Sequence, residues 1–150
     1  MIKIYVVALI TISFTSMAQE KLHEKNVMSV SGVFEITLEP QSDASAPVGR
    51  MTLSKIYSGG LVGKGIGQMI SKRTEGGAAV YSAIEEFEGI VDGIKGSFTL
   101  FHTGFMSADK QELKIIIVEG SGTDGLKGIQ GNLSITQENG VHHYELEYSL

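Results

Sequence analysis

Two residues, Glu85 and His102, have the side chains and the placement needed for acid–base chemistry inside a folded domain. Each alternates in phase with apolar neighbours, which are Tyr81, Ala83 and Phe87 for Glu85 and Phe98 and Leu100 for His102. Because alternate residues of a strand share a face, both side chains are expected to be buried. Burial raises the pKa of a carboxylic acid and a nearby imidazolium lowers it, so the pair could exchange a proton near neutral pH. The alternative is that the two groups only satisfy each other's hydrogen bonds, as buried polar groups require.

Six further side chains are candidates for contact with a bound ligand. The tyrosines and the phenylalanine have apolar bodies suited to line a cavity, although such residues also form ordinary cores. The two hydroxyl residues lie in a glycine-rich loop, where bonds to nearby backbone are the alternative role. The six are Tyr57, Tyr81, Phe98, Tyr144, Ser121 and Thr123.

Neither a nucleotide nor a metal site is predicted. The glycines at 120, 122 and 125 match a dinucleotide-binding pattern, but no helical apolar pattern follows to supply the helix N-terminus that such a site needs. His142 and His143 are adjacent, so on a strand they point to opposite faces. Glu85 and His102 alone fall short of the three protein ligands of a catalytic zinc. The sequence therefore predicts no cofactor.

The first 18 residues have the features of a secretory signal peptide. Lys3 precedes an apolar stretch over residues 4–14, and Ser16 and Ala18 are the small residues of a cleavage site before Gln19. The stretch is shorter than the roughly 20 residues that cross a bilayer. We therefore expect an exported protein, periplasmic or extracellular, with a flexible N-terminus over residues 19–28.

The composition indicates one small globular domain, predicted over residues 29–150. The chain has 150 residues, 42% of them hydrophobic, and a net charge of −5. The absence of cysteine excludes disulfides and cysteine-ligated metals. No basic cluster is present, which argues against nucleic acid and, after signal cleavage, against a membrane as partner.

Alternating runs separated by glycine-centred turns predict an all-β fold of eight strands. Asn139-Gly140 is the strongest hairpin signal, and Gly63, Gly65 and Gly67 form a glycine stripe that lets a sheet bend or another backbone approach. Eight antiparallel strands around one core are expected to close into a barrel or to fold into a sandwich, and closure removes exposed edges. The strands are predicted at residues 29–39, 48–58, 61–72, 78–88, 96–103, 112–118, 131–137 and 141–150.

Several motifs occur along the chain in a specific order and spacing: Tyr57-Ser58-Gly59, Glu85 with Gly89 and Gly93, Gly96-Ser97-Phe98, Leu100 to Gly104, Gly120 to Thr123 with Gly128 and Gly131, and His143 to Tyr148. Together these motifs resemble an uncharacterised bacterial domain-of-unknown-function family, DUF3224. This family is similar in fold to the barrel of plant allene oxide cyclase and dirigent proteins. The resemblance implies a single eight-stranded antiparallel meander barrel with a cavity and supplies no established activity.

Two functions from different classes follow from these observations. The favoured one is a binding module whose apolar lumen holds a small lipophilic molecule, since eight-stranded barrels are wide enough for one such ligand. The alternative is a cofactor-independent enzyme of isomerase or cyclase type that uses Glu85 and His102. The sequence leaves open whether the protein is an enzyme and whether it forms a homo-oligomer.

Overall fold

The chain forms a closed barrel of eight antiparallel strands. The computed structural model describes residues 26–150; the predicted signal peptide and most of the predicted flexible segment, residues 19–28, lie outside the described residues. Each strand pairs with the next, and β8 returns to pair with β1. The strands are β1 (Met28–Gln41), β2 (Gly49–Gly59), β3 (Leu61–Arg73), β4 (Ala79–Val91), β5 (Ile94–Met106), β6 (Gln111–Ile117), β7 (Gln130–Glu138) and β8 (Val141–Ser149).

The predicted meander barrel is confirmed; β4 and β5 each end three residues beyond the predicted end, and the other strand ends lie within two residues of the prediction. Two hairpins turn through two residues that both have positive φ: Asp92-Gly93 at 46° and 83°, and Asn139-Gly140 at 51° and 82°. Such turns match the twist of the strands they join. The tight turn at Asp92-Gly93 lets β5 begin at Ile94, two residues before its predicted start.

One end of the barrel is filled by side chains, and we call it the closed end. The connection from β6 to β7 crosses this end and contains a single 3-10 turn, Asp124–Leu126. Leu126 and Ile129 on this connection are fully buried. Below them Phe87 and Phe98 stack with ring centroids 4.9 Å apart. This packing fills the barrel interior at the closed end.

The opposite end is less completely filled, and we call it the open end. Three side chains at this end are in phase with the inward-facing residues of their strands but stay partly or largely exposed: Met69 on β3, Tyr81 on β4 and Leu113 on β6. The hairpins β3–β4 and β5–β6 border this end. Within residues 26–150, no helix is long and apolar enough to span a membrane.

On β3 the glycine stripe faces inward and the large aliphatic side chains face outward. A Cβ at Gly63 or Gly67 would overlap the backbone of β4, so the two strands approach more closely on the inner side than side chains would permit. This is the close backbone approach predicted from the stripe. Ile66 and Ile70 consequently project from the outer surface of the barrel.

Candidate functional site

Four polar side chains meet in the middle of the barrel, and we call them the polar cluster: Lys55, Tyr57, Glu85 and His102. Lys55 is 3% exposed, Glu85 is 0% exposed and His102 is 3% exposed. The predicted burial of Glu85 and His102 on one interior surface is thereby confirmed. The fourth member, Lys55, was not predicted from the sequence.

The carboxylate of Glu85 is the centre of this cluster. Its Oε2 accepts a hydrogen bond from Lys55 Nζ at 2.7 Å, and its Oε1 accepts one from the Tyr57 hydroxyl at 2.8 Å. His102 Nε2 lies 3.0 Å from Oε2, although its N–H direction is out of line for a good hydrogen bond. A buried carboxylate needs such partners, because an unpaired one would be expelled or neutralised.

The local sequence of β3 makes the cluster possible. Gly65 pairs with Lys55 on β2 and lies diagonally beside Glu85, which pairs with Gly67. A Cβ at Gly65 would overlap Glu85 Oε1, so only glycine leaves room for the carboxylate to lean across β3 towards β2. The ammonium of Lys55 also lies 4.8 Å from the centroid of the Phe34 ring, within cation–π range.

The electrostatics keep Glu85 ionised at neutral pH. Burial raises the pKa of Glu85, but the contact with His102 and the charge of Lys55 outweigh burial, so its pKa lies below the ordinary value of 4.5. Burial, and then the negative charge of Glu85, raise the pKa of the Tyr57 phenol. Tyr57 therefore remains a proton donor, and Glu85 is a base rather than an acid in this state.

A cavity of about 330 Å³ lies at the open end beside the polar cluster. Tyr81 and Gly104 line it, and Gly104 is two residues from His102 on β5. Met69, another lining residue, pairs with Ala83, which in turn pairs with His102. The absence of a side chain at Gly104 makes space for the Tyr81 ring, which a Cβ there would overlap. The cavity and the cluster are thus neighbours along the barrel axis.

The other predicted ligand contacts lie away from this cavity. Phe98 is in the filled half of the barrel, and the hydroxyl of Tyr144 accepts a hydrogen bond from the Leu61 N–H at 2.7 Å. Ser121 Oγ accepts from the Thr99 N–H at 3.0 Å, and Thr123 Oγ1 accepts from the Ser97 N–H at 3.1 Å. These hydroxyls continue the pairing of β5 where β6 has ended. Of the six predicted ligand contacts, Tyr81 lines the cavity and Tyr57 belongs to the polar cluster.

Lys55 had a signal that sequence reasoning could have used. It alternates in phase with Met51, Leu53 and Tyr57, as Glu85 does with its own apolar neighbours. Among the described residues, no group of three or more histidine, aspartate or glutamate side chains could hold a metal ion. The pattern of glycines 120, 122 and 125 leads into the short 3-10 turn and not into an α-helix.

Comparisons with known proteins assign the chain to a family. Residues 30–148 match the family model "Protein of unknown function (DUF3224)". A solved structure of a protein with unknown function from the same family, from Shewanella oneidensis MR-1, is similar with a TM-score of 0.77 and 33% sequence identity; the match covers 83% of this chain and 98% of that one. No curated protein matches the chain. The chain, an eight-stranded barrel with a buried polar cluster, belongs to the DUF3224 family.

Proposed function

We propose that this protein binds a small, largely apolar molecule in the open end of its barrel. The observation that carries the proposal is the contrast between the two ends: the closed end is packed with fully buried side chains, whereas the open end holds a cavity of about 330 Å³. Ligand pockets are concave, mostly apolar and of about 300–1,000 Å³. A cavity at the lower limit of this range suits a small ligand.

The surroundings of the cavity favour an amphipathic ligand. Met69, Tyr81 and Leu113 supply an apolar wall. His102 lies two residues before Gly104, which lines the cavity, on β5. Its Nε2 lacks a well-aligned hydrogen bond. A ligand with an apolar body and one polar group could therefore place that group toward the polar cluster.

The test is binding of the apolar fluorescent dye 1-aminoanthracene to the purified protein. Leu113→Glu puts a charge in the cavity wall at a side chain that is 41% exposed, and Val33→Glu puts the same charge on the outside of β1 at 37% exposure. We expect Leu113→Glu to weaken dye binding at least about tenfold, because the dye would desolvate an unpaired carboxylate, and Val33→Glu to leave it unchanged.

Equal binding by both variants, or no binding by the natural sequence, would contradict the proposal. A third variant, Ile84→Glu, changes an exposed apolar residue on the outside of β4. Dye binding that is lost in Ile84→Glu but kept in Leu113→Glu would assign the dye to the outer surface. Mass spectrometry of molecules retained by the natively purified protein would then identify the natural ligand.

A second candidate is a cofactor-independent isomerase or cyclase type of enzyme. It is favoured by the ionised carboxylate of Glu85, 3.0 Å from His102, beside the cavity. Such a pair could take a proton from one carbon of a bound molecule and return a proton to another, with no net oxidation. The likeness to the barrel of plant allene oxide cyclase rests on sequence motifs and supports this candidate by analogy alone.

Solvent deuterium distinguishes the two candidates. An enzyme would incorporate deuterium from D₂O into the retained molecule, and Glu85→Gln and His102→Ala would abolish incorporation while the molecule stays bound. A carrier would show no incorporation in any of the three proteins, and the two variants would change affinity only modestly.

Export remains part of the proposal. It is supported by Lys3, the apolar stretch at 4–14 and the small residues Ser16 and Ala18. All of these lie outside the described residues. The compartment would be periplasmic or extracellular. Disulfides can form there, but this chain has no cysteine and does not depend on them.

A further inference from the structure

The outer surface of the barrel differs sharply between its two sides. On β1, β7 and β8, the outward positions are mainly serine, threonine, asparagine and glutamate, such as Ser31, Ser134 and Glu145. On β3, β4 and β5 the equivalent positions carry large apolar side chains, with Ile66 at 60% exposure and Ile84 at 57%. We call this set the apolar outer face. Its members are Ile66, Ile70, Val80, Ile84 and Phe101.

These five side chains form one contiguous surface. Ile84 pairs directly with Phe101 on β5 and with Gln68 on β3, and Gln68 lies between Ile66 and Ile70 along its strand. A shallow depression lies at the centre, lined by Gln68, Ser82 and Phe101 among others. Aliphatic projections beside a depression can interdigitate with a second surface of the same kind, as in the packing of two sheets.

The exposure of this surface is consistent with the apolar centre of a dimer interface. Each of the five residues keeps between 37% and 60% of its surface exposed, and the largest apolar patch of a monomer, of about 300–600 Å², is often functional. A standard interface covers about 800 Å² per partner, of which the polar rim is a substantial part. The surrounding polar residues would complete an interface of that size.

The charges at the border point to a second copy of this chain. Around the apolar outer face, Lys64 pairs with Glu88 and Glu86 pairs with Ile66 near the closed end, and Lys72 pairs with Val80 near the open end. A border with both signs can pair with itself, since a two-fold axis places each surface against its own copy. A strongly basic partner surface or an anionic membrane would instead be matched by a border of one sign. We propose that two copies of this protein associate through the apolar outer face.

Sedimentation velocity of the purified protein between about 1 and 100 µM tests the proposal. We expect a concentration-dependent dimer of the natural sequence. Ile66→Lys should raise the dimer dissociation constant at least about 100-fold, because the two-fold axis buries the added charge twice. Val33→Lys, on the polar side of the barrel, should leave the dimer intact.

Two results would overturn the proposal: a monomer at 100 µM, or a dimer that Ile66→Lys leaves unchanged. Because Ile66 is exposed in the single chain, its substitution should not unfold the barrel, and far-UV circular dichroism checks this.

A second measurement, chemical cross-linking, does not depend on an introduced charge. The chain has no cysteine, so Gln68→Cys should cross-link two copies with a short bis-maleimide, whereas Thr37→Cys on β1 should not. Failure of Gln68→Cys to cross-link would count against this face.

Discussion

The ion pair between Lys55 and Glu85 allows a quantitative test of how the polar cluster is held together. Lys55→Met removes the ammonium that lies 2.7 Å from the carboxylate and leaves Glu85 at 0% exposure with a negative charge. Removing one partner of a buried pair costs about 3–5 kcal/mol of the free energy of unfolding. We expect a loss of about 3 kcal/mol, at the lower end of this range, because the Tyr57 hydroxyl still donates a hydrogen bond to Glu85 at 2.8 Å.

The double variant distinguishes a coupled pair from two independent side chains. Glu85→Gln alone leaves the Lys55 ammonium buried without a carboxylate and should also cost about 3 kcal/mol. With both substitutions no buried charge remains, and the new amide can still accept a hydrogen bond from Tyr57. The double variant should therefore be no less stable than either single variant, so the coupling energy should be about 3 kcal/mol or more.

Urea unfolding followed by far-UV circular dichroism measures these free energies, since the chain has no tryptophan. Lys95→Met, the same substitution at an exposed position of β5, is the control and should change the free energy of unfolding by less than about 0.5 kcal/mol. If the effects of Lys55→Met and Glu85→Gln simply added within about 0.5 kcal/mol, the two side chains would not be a coupled buried pair, and the description of the polar cluster would be wrong.

Four more predictions follow from the same geometry and from the predicted leader. Gly65→Ala should destabilise the barrel by about 1–3 kcal/mol in thermal or urea unfolding, because its Cβ would displace the carboxylate of Glu85, whereas Gly49→Ala, which has room for a Cβ, should not. The lowered pKa of Glu85 contributes stability above about pH 4.5 that is lost as the pH falls through the folded value, so the acid unfolding curve of Glu85→Gln should be flatter than that of the natural sequence. The raised pKa of Tyr57 gives stability that is full below pH 10 and lost as the pH rises further, so Tyr57→Phe should remove this alkaline loss and cost about 1–3 kcal/mol at neutral pH. Protein exported by cells should begin at Gln19 by N-terminal sequencing; an intact first residue would refute the predicted cleavage.

Alternation and turn chemistry predicted the eight antiparallel strands, and the family resemblance selected a barrel over a sandwich. A period of two identifies each strand, and pairs such as Asn139-Gly140 identify where the chain reverses. The same alternation located Glu85 and His102, because a polar residue in phase with apolar ones must face the interior with them. Alternation alone did not assign Lys55 to the interior, because a lysine can bury its stem and still reach water. Its 3% exposure and its 2.7 Å hydrogen bond to Glu85 show that its ammonium is buried.

Alternation predicts which side chains face the interior but not where they lie along the barrel axis. Phe98 and Tyr81 both face inward, yet Phe98 is in the packed half and Tyr81 lines the cavity. The difference depends on the β6–β7 connection, whose Leu126 fills the closed end. Ser121 and Thr123 lie in the glycine-rich loop between β6 and β7, as predicted. Local sequence does not determine that their hydroxyls accept hydrogen bonds from the backbone of β5.

The register of β3 connects the polar cluster with the apolar outer face. Judged by hydrophobicity alone, a shift of one residue would bury Ile66 and Ile70 and expose the glycines, and it should be favoured. Close approach to β4 opposes that shift, because only glycine fits at Gly63 and Gly67, and Gly65 makes room for the carboxylate of Glu85. Steric contact on the inner side therefore overrides the hydrophobic pattern, and the isoleucines remain in water in a single barrel. A second copy that covers them would recover this lost burial, so the buried ion pair and the proposed dimer surface are two consequences of the same strand register.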